Sequence, residues 1–274
     1  MGNTVGKPRK MSTWKIEKKQ KKLPRIRNPI LVEGLPGIGN VGKVAVDYII
    51  DELNARQIYS ISSHSFPHSV FVNEENLVEL PAIKVYHAKT RKQNILFLAG
   101  DVQPTKEESS YEFCEHMLDI LEQFHGTRLI TLGGIGLHSI PKKPKVFCTG
   151  NSRAYIQEMV KDTSANTNLY GIVGPIIGVS GLLLGLAKGR GIKGVSLLAE
   201  TYGHPMYLGM EGARELINIL NTKLSLGINL KELDKDIERM NAENAKPDEQ
   251  AGKASKLRQI QSRIPSGEHT SYIG

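Results

Sequence analysis

Apolar runs alternate with stretches of helical period along most of this chain. Ile30-Leu31-Val32 is an unbroken apolar run, the mark of a strand buried on both faces. After a turn rich in Gly and Pro, Val44, Ala45, Val46, Tyr48, Ile49 and Ile50 supply one face of a helix. Ile58 to Ser63 and the alternating stretch Leu80 to His87 predict two more strands. Between them, Asn73-Glu74-Glu75-Asn76 marks the turn of a small β hairpin. Asn94 to Gly100 reads as a central strand.

The second half repeats the scheme. Thr105 and Glu108 have the spacing of a capping box, and Tyr111, Cys114, Leu118 and Leu121 follow at helical period. Arg128 to Leu132 predicts a strand that opens into a flexible loop, Gly133-Gly134-Ile135-Gly136. Val146 to Thr149 is a further strand, and Ser152 is the N-cap of a helix through Met159. Residues 172–187 are almost wholly apolar or Gly, too short for a membrane span, which needs about twenty apolar residues. Gly174 and Gly178, then Gly181 and Gly185, repeat at four-residue spacing, as in a buried helix that approaches its neighbour closely. Gly194 to Ala199 is the last strand, and Ala213, Leu216, Ile217, Leu220 and Leu224 trace an amphipathic helix. Leu230, Leu233, Ile237 and Met240 then form a short heptad-like stripe. That stripe either pairs with the preceding helix or projects to bind another subunit.

Strand, tight loop and helix around residues 30–50 start an α/β fold and place backbone N–H groups at a helix N-terminus. Two phosphate-binding patterns overlap there. Gly37, Gly39 and Gly42 spell G-x-G-x-x-G, but the next strand ends in Ser62-Ser63-His64-Ser65, with no carboxylate to hold a ribose. Gly37, Gly42 and Lys43 fit G-x-x-x-x-G-K, but Val44 stands where Ser or Thr would ligate magnesium. Each pattern keeps its glycines and loses its chemistry, which favours a tight turn with close helix–strand packing.

Gly34-Leu35-Pro36-Gly37-Ile38-Gly39-Asn40-Val41-Gly42 is similar to the opening motif of the proteasome-assembly-chaperone family. Gly133-Gly134-Ile135-Gly136, the run Gly174 to Gly185, and Leu198-Ala199-Glu200-Thr201 agree with that family in order, over about residues 28 to 225. The resemblance, to an archaeal homologue, implies a three-layer α/β/α sandwich that binds proteasome α-subunits or the α-ring without ATP, cofactor or catalysis. Activators and several assembly chaperones dock a hydrophobic–Tyr–any tripeptide between α-subunits; here Tyr272, Ile273 and Gly274 offer such an end, with the Tyr displaced by one residue. Related archaeal proteins have also been labelled ATP-grasp-like. The alternative is therefore a nucleotide-dependent enzyme whose ligand loop is Gly37, Gly39, Gly42 and Lys43, with Gly134 beside it and Asp101 or Glu200 placing a metal.

Charge sharpens this division. The net charge is +8, yet residues 1–27 alone carry ten bases against one acid. The tail from Lys246 adds five bases against three acids, so the body between is mildly acidic. A nucleic-acid role would rest on the arm alone. The expected organisation is a disordered basic arm 1–27, an α/β/α domain 28–226, a helical extension 227–245 and a flexible tail 246–274. Leu230, Leu233, Ile237 and Met240 are assigned to partner binding in a homo-oligomer. Two cysteines without C-x-x-C spacing, and no apolar signal after the leading charges, point to a reducing cytoplasm. Gly178, Ser180 and Leu182 miss the G-x-S-x-G elbow by one residue. His64 and His68, split by Pro67, make no metal pair.

Overall fold

The computed structural model describes residues 14–169, 171 and 174–244. In chain order its strands are β1 Trp14–Lys18, β2 Ile30–Gly34, β3 Arg56–Ser63, β4 Phe71–Val72, β5 Val78–Glu79, β6 Ile83–Lys89, β7 Asn94–Gly100, β8 Arg128–Leu137, β9 Val146–Gly150 and β10 Lys193–Tyr202. The helices are α1 Val41–Glu52, α2 Glu107–Gln123, α3 Arg153–Val160, α4 Val179–Gly189, α5 Met210–Leu224 and α6 Lys231–Asn244.

Eight strands form one sheet in the order β1-β3-β6-β7-β2-β8-β10-β9, and β4 pairs only with β5. The four strands β7, β2, β8 and β10 are parallel; β6, β3 and β1 continue antiparallel on one flank, and β9 on the other. Period-two alternation divides the core between the two faces. In β7, Ile95 and Phe97 point to one face and Leu96 and Leu98 to the other, all fully buried. The apolar faces of α1, α3, α5 and α6 cover the first face, and α2 and α4 cover the second. The result is the expected three-layer α/β/α sandwich with a C-terminal helical extension.

Several local expectations are corrected. Residues 14–18 are an edge strand, not part of a disordered arm: Trp14 is 7% exposed and packs on Phe66 and Phe113 at ring distances of 5.5 and 5.1 Å. The Thr105 capping box does not form, because the Thr105 hydroxyl donates to the Ser65 carbonyl at 3.4 Å. Tyr111 is exposed, and Phe113 and Met117 fill the core beside Cys114 and Leu118. Gly133 to Gly136 is no loop but the continuation of β8, paired residue by residue with Leu198 to Thr201. The helix expected over 172–187 begins only at Val179, so Gly174 and Gly178 precede it.

The parallel strands end together, and β3 ends and β6 begins at the same end of the sheet. The glycine loop, the β4–β5 hairpin and the connections entering α2, α4 and α5 all gather there. In an open α/β sheet that is the end where sites form.

Candidate functional site

The glycine loop is held shut by the protein's own atoms. Gly39 has φ +62°, and a Cβ there would lie 2.6 Å from the Thr201 hydroxyl. A Cβ on Gly134 would lie 2.2 Å from the Ile38 carbonyl, and one on Gly42 would lie 2.6 Å from the Leu132 carbonyl. These three glycines therefore let the loop and α1 lie directly on β8 and β10. Gly37 differs: it is extended, exposed and has open space around it. The loop is also tied from outside. The Gly209 N–H donates to the Gly39 carbonyl at 2.8 Å. Gln103 donates from Nε2 to the Pro36 carbonyl and accepts from the Val179 N–H at 3.1 Å, so one side chain joins the loop to the start of α4.

Lys43 turns toward carboxylates. Its Nζ lies 2.8 Å from Asp47 and 2.7 Å from Asp101, and all three side chains are at most 15% exposed. Burial pulls the lysine pKa down, but Asp47 and Asp101 overcome that and hold it above its ordinary value. Burial also raises the Asp47 carboxyl, against the pull of Lys43. Such a lysine is committed to internal charge balance.

Glu33 is fully buried on β2. Its carboxylate accepts from the Ser180 hydroxyl at 2.8 Å and from the Leu35 N–H at 3.0 Å. Burial nevertheless pushes its pKa up to about 7, the hydrogen bonds to Ser180 and the backbone only partly opposing it. Glu33 and Gln103 thus clasp the glycine loop to α4 from two sides. Glu200, the other carboxylate expected at this end, accepts from the Lys145 N–H at 2.9 Å. Among the described residues no cluster of three His, Cys, Asp or Glu has the arrangement of a metal site.

Around this closed loop the same end of the sheet is apolar on its outside. Ten large apolar side chains among the described residues are more than half exposed. Five belong to the segment around the β4–β5 hairpin: Val70, Val72, Leu77, Val78 and Leu80. Ile38, Ile140, Ile177 and Met206 lie on other connections at that end, and Tyr111 on the early part of α2. The opposite end carries no such side chain among the described residues.

Residues 31–246 match the PAC2 family. The chain belongs to that family. The uncharacterized protein MJ1210 of Methanocaldococcus jannaschii is 28% identical over 262 residues, covering 94% of this chain and 97% of that protein. Among solved structures, Pyrococcus furiosus PbaB, an archaeal proteasome activator, superposes with a TM-score of 0.77 at 28% identity, over 92% of this chain and 100% of that one. Pyrococcus furiosus PbaA, an archaeal homolog of proteasome-assembly chaperone, gives 0.69 at 24% identity, over 90% and 96%.

Within this PAC2 chain the structure gathers Gly37, Gly39, Gly42, Lys43 and Gly134 at one place, with Thr201 between them. It sends the helical stripe elsewhere. Leu233 is 1% exposed, and Leu230, Ile237 and Met240 pack partly buried against the same core face as α1 and α5. The stripe covers the body's own apolar surface, which corrects the assignment of Leu233 to partner binding, and Arg214 of α5 pairs with Asp234 of α6 at 2.9 Å. Tyr272, Ile273 and Gly274 lie outside the described residues, as does the tail 246–274. The exposed hairpin was missed as a surface. Its signal was present in Leu77-Val78-Glu79-Leu80, apolar on both faces of a strand too short to be covered on both.

Proposed function

We propose that this PAC2 chain is an ATP-independent, proteasome-assembly-chaperone-type protein that works as a homo-oligomer and engages proteasome α-subunits or the α-ring. It acts by binding other proteins and catalyses no reaction. The observation that carries this is the state of the one loop with an enzyme-like pattern. Gly39, Gly42 and Gly134 are spent on internal contact, and Lys43 is neutralised by Asp47 and Asp101. The family match and the likeness to PbaB supply the direction of the proposal. Docking of Tyr272, Ile273 and Gly274 into the α-ring follows from the resemblance of the terminal tripeptide. A cytoplasmic setting suits two buried, unbridged thiols, Cys114 and Cys148; burial pushes the Cys148 thiol up to about 12.

Deleting Tyr272 to Gly274 tests the tail. Affinity for a purified α-ring, read by surface plasmon resonance, falls at least tenfold while the circular dichroism spectrum is unchanged. Equal affinity removes the tail from the account. Calorimetry with ATP and magnesium tests the rest: no saturable heat is expected, and tight binding abolished by Lys43→Ala establishes the nucleotide-dependent enzyme instead.

A second reading keeps the partner and changes the stage. Similarity to PbaB, an archaeal proteasome activator, favours action on the finished particle. Peptide hydrolysis by assembled proteasome, with and without this protein, separates activation from assembly.

A further inference from the structure

The two flanks of the apolar end carry opposite charge. Residues 64–82, the hairpin segment, hold Glu74, Glu75 and Glu79 and no Lys or Arg. Residues 138–145, the connection from β8 to β9, hold Lys142, Lys143 and Lys145 and no Asp or Glu. All six charged residues are exposed, and among the described residues none of their side chains forms an ion pair. Each charged set sits beside apolar side chains open to solvent: Leu77, Val78 and Leu80 on the hairpin, and Ile140 on the connection.

Sheet order keeps these two sets apart. The hairpin joins β3 and β6, second and third in the sheet, and the basic connection joins β8 and β9, sixth and eighth. At about 4.8 Å per strand they stand roughly 15 to 30 Å apart. Within one copy the two sets therefore do not meet each other, and each leaves its charges and apolar side chains open to a second copy. Pairing hairpin with hairpin sets three glutamates against three glutamates, and pairing the basic connections sets lysine against lysine; both place like charges together. Pairing hairpin with connection joins apolar to apolar and acid to base.

We propose that the β4–β5 hairpin of one copy docks on the β8–β9 connection of the next, a head-to-tail contact between copies of this chain. Two different surfaces in one repeated contact generate a ring when the rotation closes. This rests on the homo-oligomer reading above and assigns the surfaces that build it.

Light scattering after size-exclusion chromatography of the full chain tests it with two variants. One carries Leu77→Ser and Leu80→Ser; the other carries Ile140→Ser and Lys143→Glu. All four positions are exposed, so both variants keep the wild-type circular dichroism spectrum. The wild type runs as an oligomer and each variant alone as a monomer. Mixed in equal amounts, the variants form a one-to-one dimer and nothing larger, because one intact hairpin meets one intact connection. A monomeric wild type overturns both this proposal and the homo-oligomer reading. A wild-type oligomer whose mass neither variant changes overturns the proposal alone, and leaves the apolar end to a different protein. A mixture that regains the full oligomer, or that stays monomeric, also overturns the head-to-tail contact.

Discussion

The glycine loop and the β4–β5 hairpin stand at the same end of the sheet and are built in opposite ways. The loop has the patterns associated with ligand chemistry, yet its Gly39 lies on β10, its Gly42 lies on β8, and its lysine lies between two aspartates. The hairpin has no catalytic pattern, yet it leaves five large apolar side chains to solvent. A patterned loop can be interior architecture, and an unpatterned excursion can be the working surface. Exposed apolar area, not glycine spacing, is the more telling sign of contact with other proteins here.

The contrast can be broken at its strongest point first. Lys43→Met leaves Asp47 and Asp101 facing each other in a nearly dry site, and should cost about 3–5 kcal/mol by urea unfolding at pH 7. A variant as stable as wild type would show that the lysine is not needed for internal balance and would return it to the candidates for ligand binding.

Glu33 comes next. Its folded pKa of about 7 lies above the usual 4.5, so the native state holds a proton that the unfolded chain has lost between those values. Stability from this group is present below about 4.5 and is lost as pH rises to about 7, a change of about 3 kcal/mol. Glu33→Gln should flatten that part of the stability–pH curve, measured by thermal unfolding across the window. An unchanged slope would place the titration elsewhere and loosen the picture of a loop clasped from within.

The smallest effect is expected at the hairpin. Measured at dilutions where wild type and variant are both monomeric, Leu80→Ser should shift stability by less than about 0.5 kcal/mol, because Leu80 is 75% exposed. A loss of about 2 kcal/mol would mean that the hairpin belongs to the core, and the comparison would collapse.

Much of this division was readable along the chain. Ile30 to Val32 and Asn94 to Gly100 declared central strands because both of their faces are buried, and a fully apolar run has few other uses. The helix from Met210 was equally plain from its periodicity. What escaped depended on contacts distant in sequence. Trp14 lies among lysines, and only Phe66 and Phe113 give it a reason to be buried. Gly133 to Gly136 looked like a loop because glycine usually ends strands; its fit beneath Ile38 appears only once the loop is laid across it. Thr105 had the right spacing for a cap, but Ser65 competed for its hydroxyl. At the candidate site the glycines and Lys43 were found from pattern, while Glu33, Gln103 and Ser180 were not, since nothing in their neighbours foretells a shared clasp.

The direction of α6 has a consequence of its own. It starts near the far end of α5 and runs back, so that Asn241 donates to Glu211 at 2.9 Å beside the first turn of α5. The final turn of α6 therefore points toward the hairpin end, and whatever follows Asn244 sets out from there. In a closed ring related by rotation alone, every protomer faces the same way. The final turns of α6 would then all face one rim, so the two faces of such an assembly would not be equivalent.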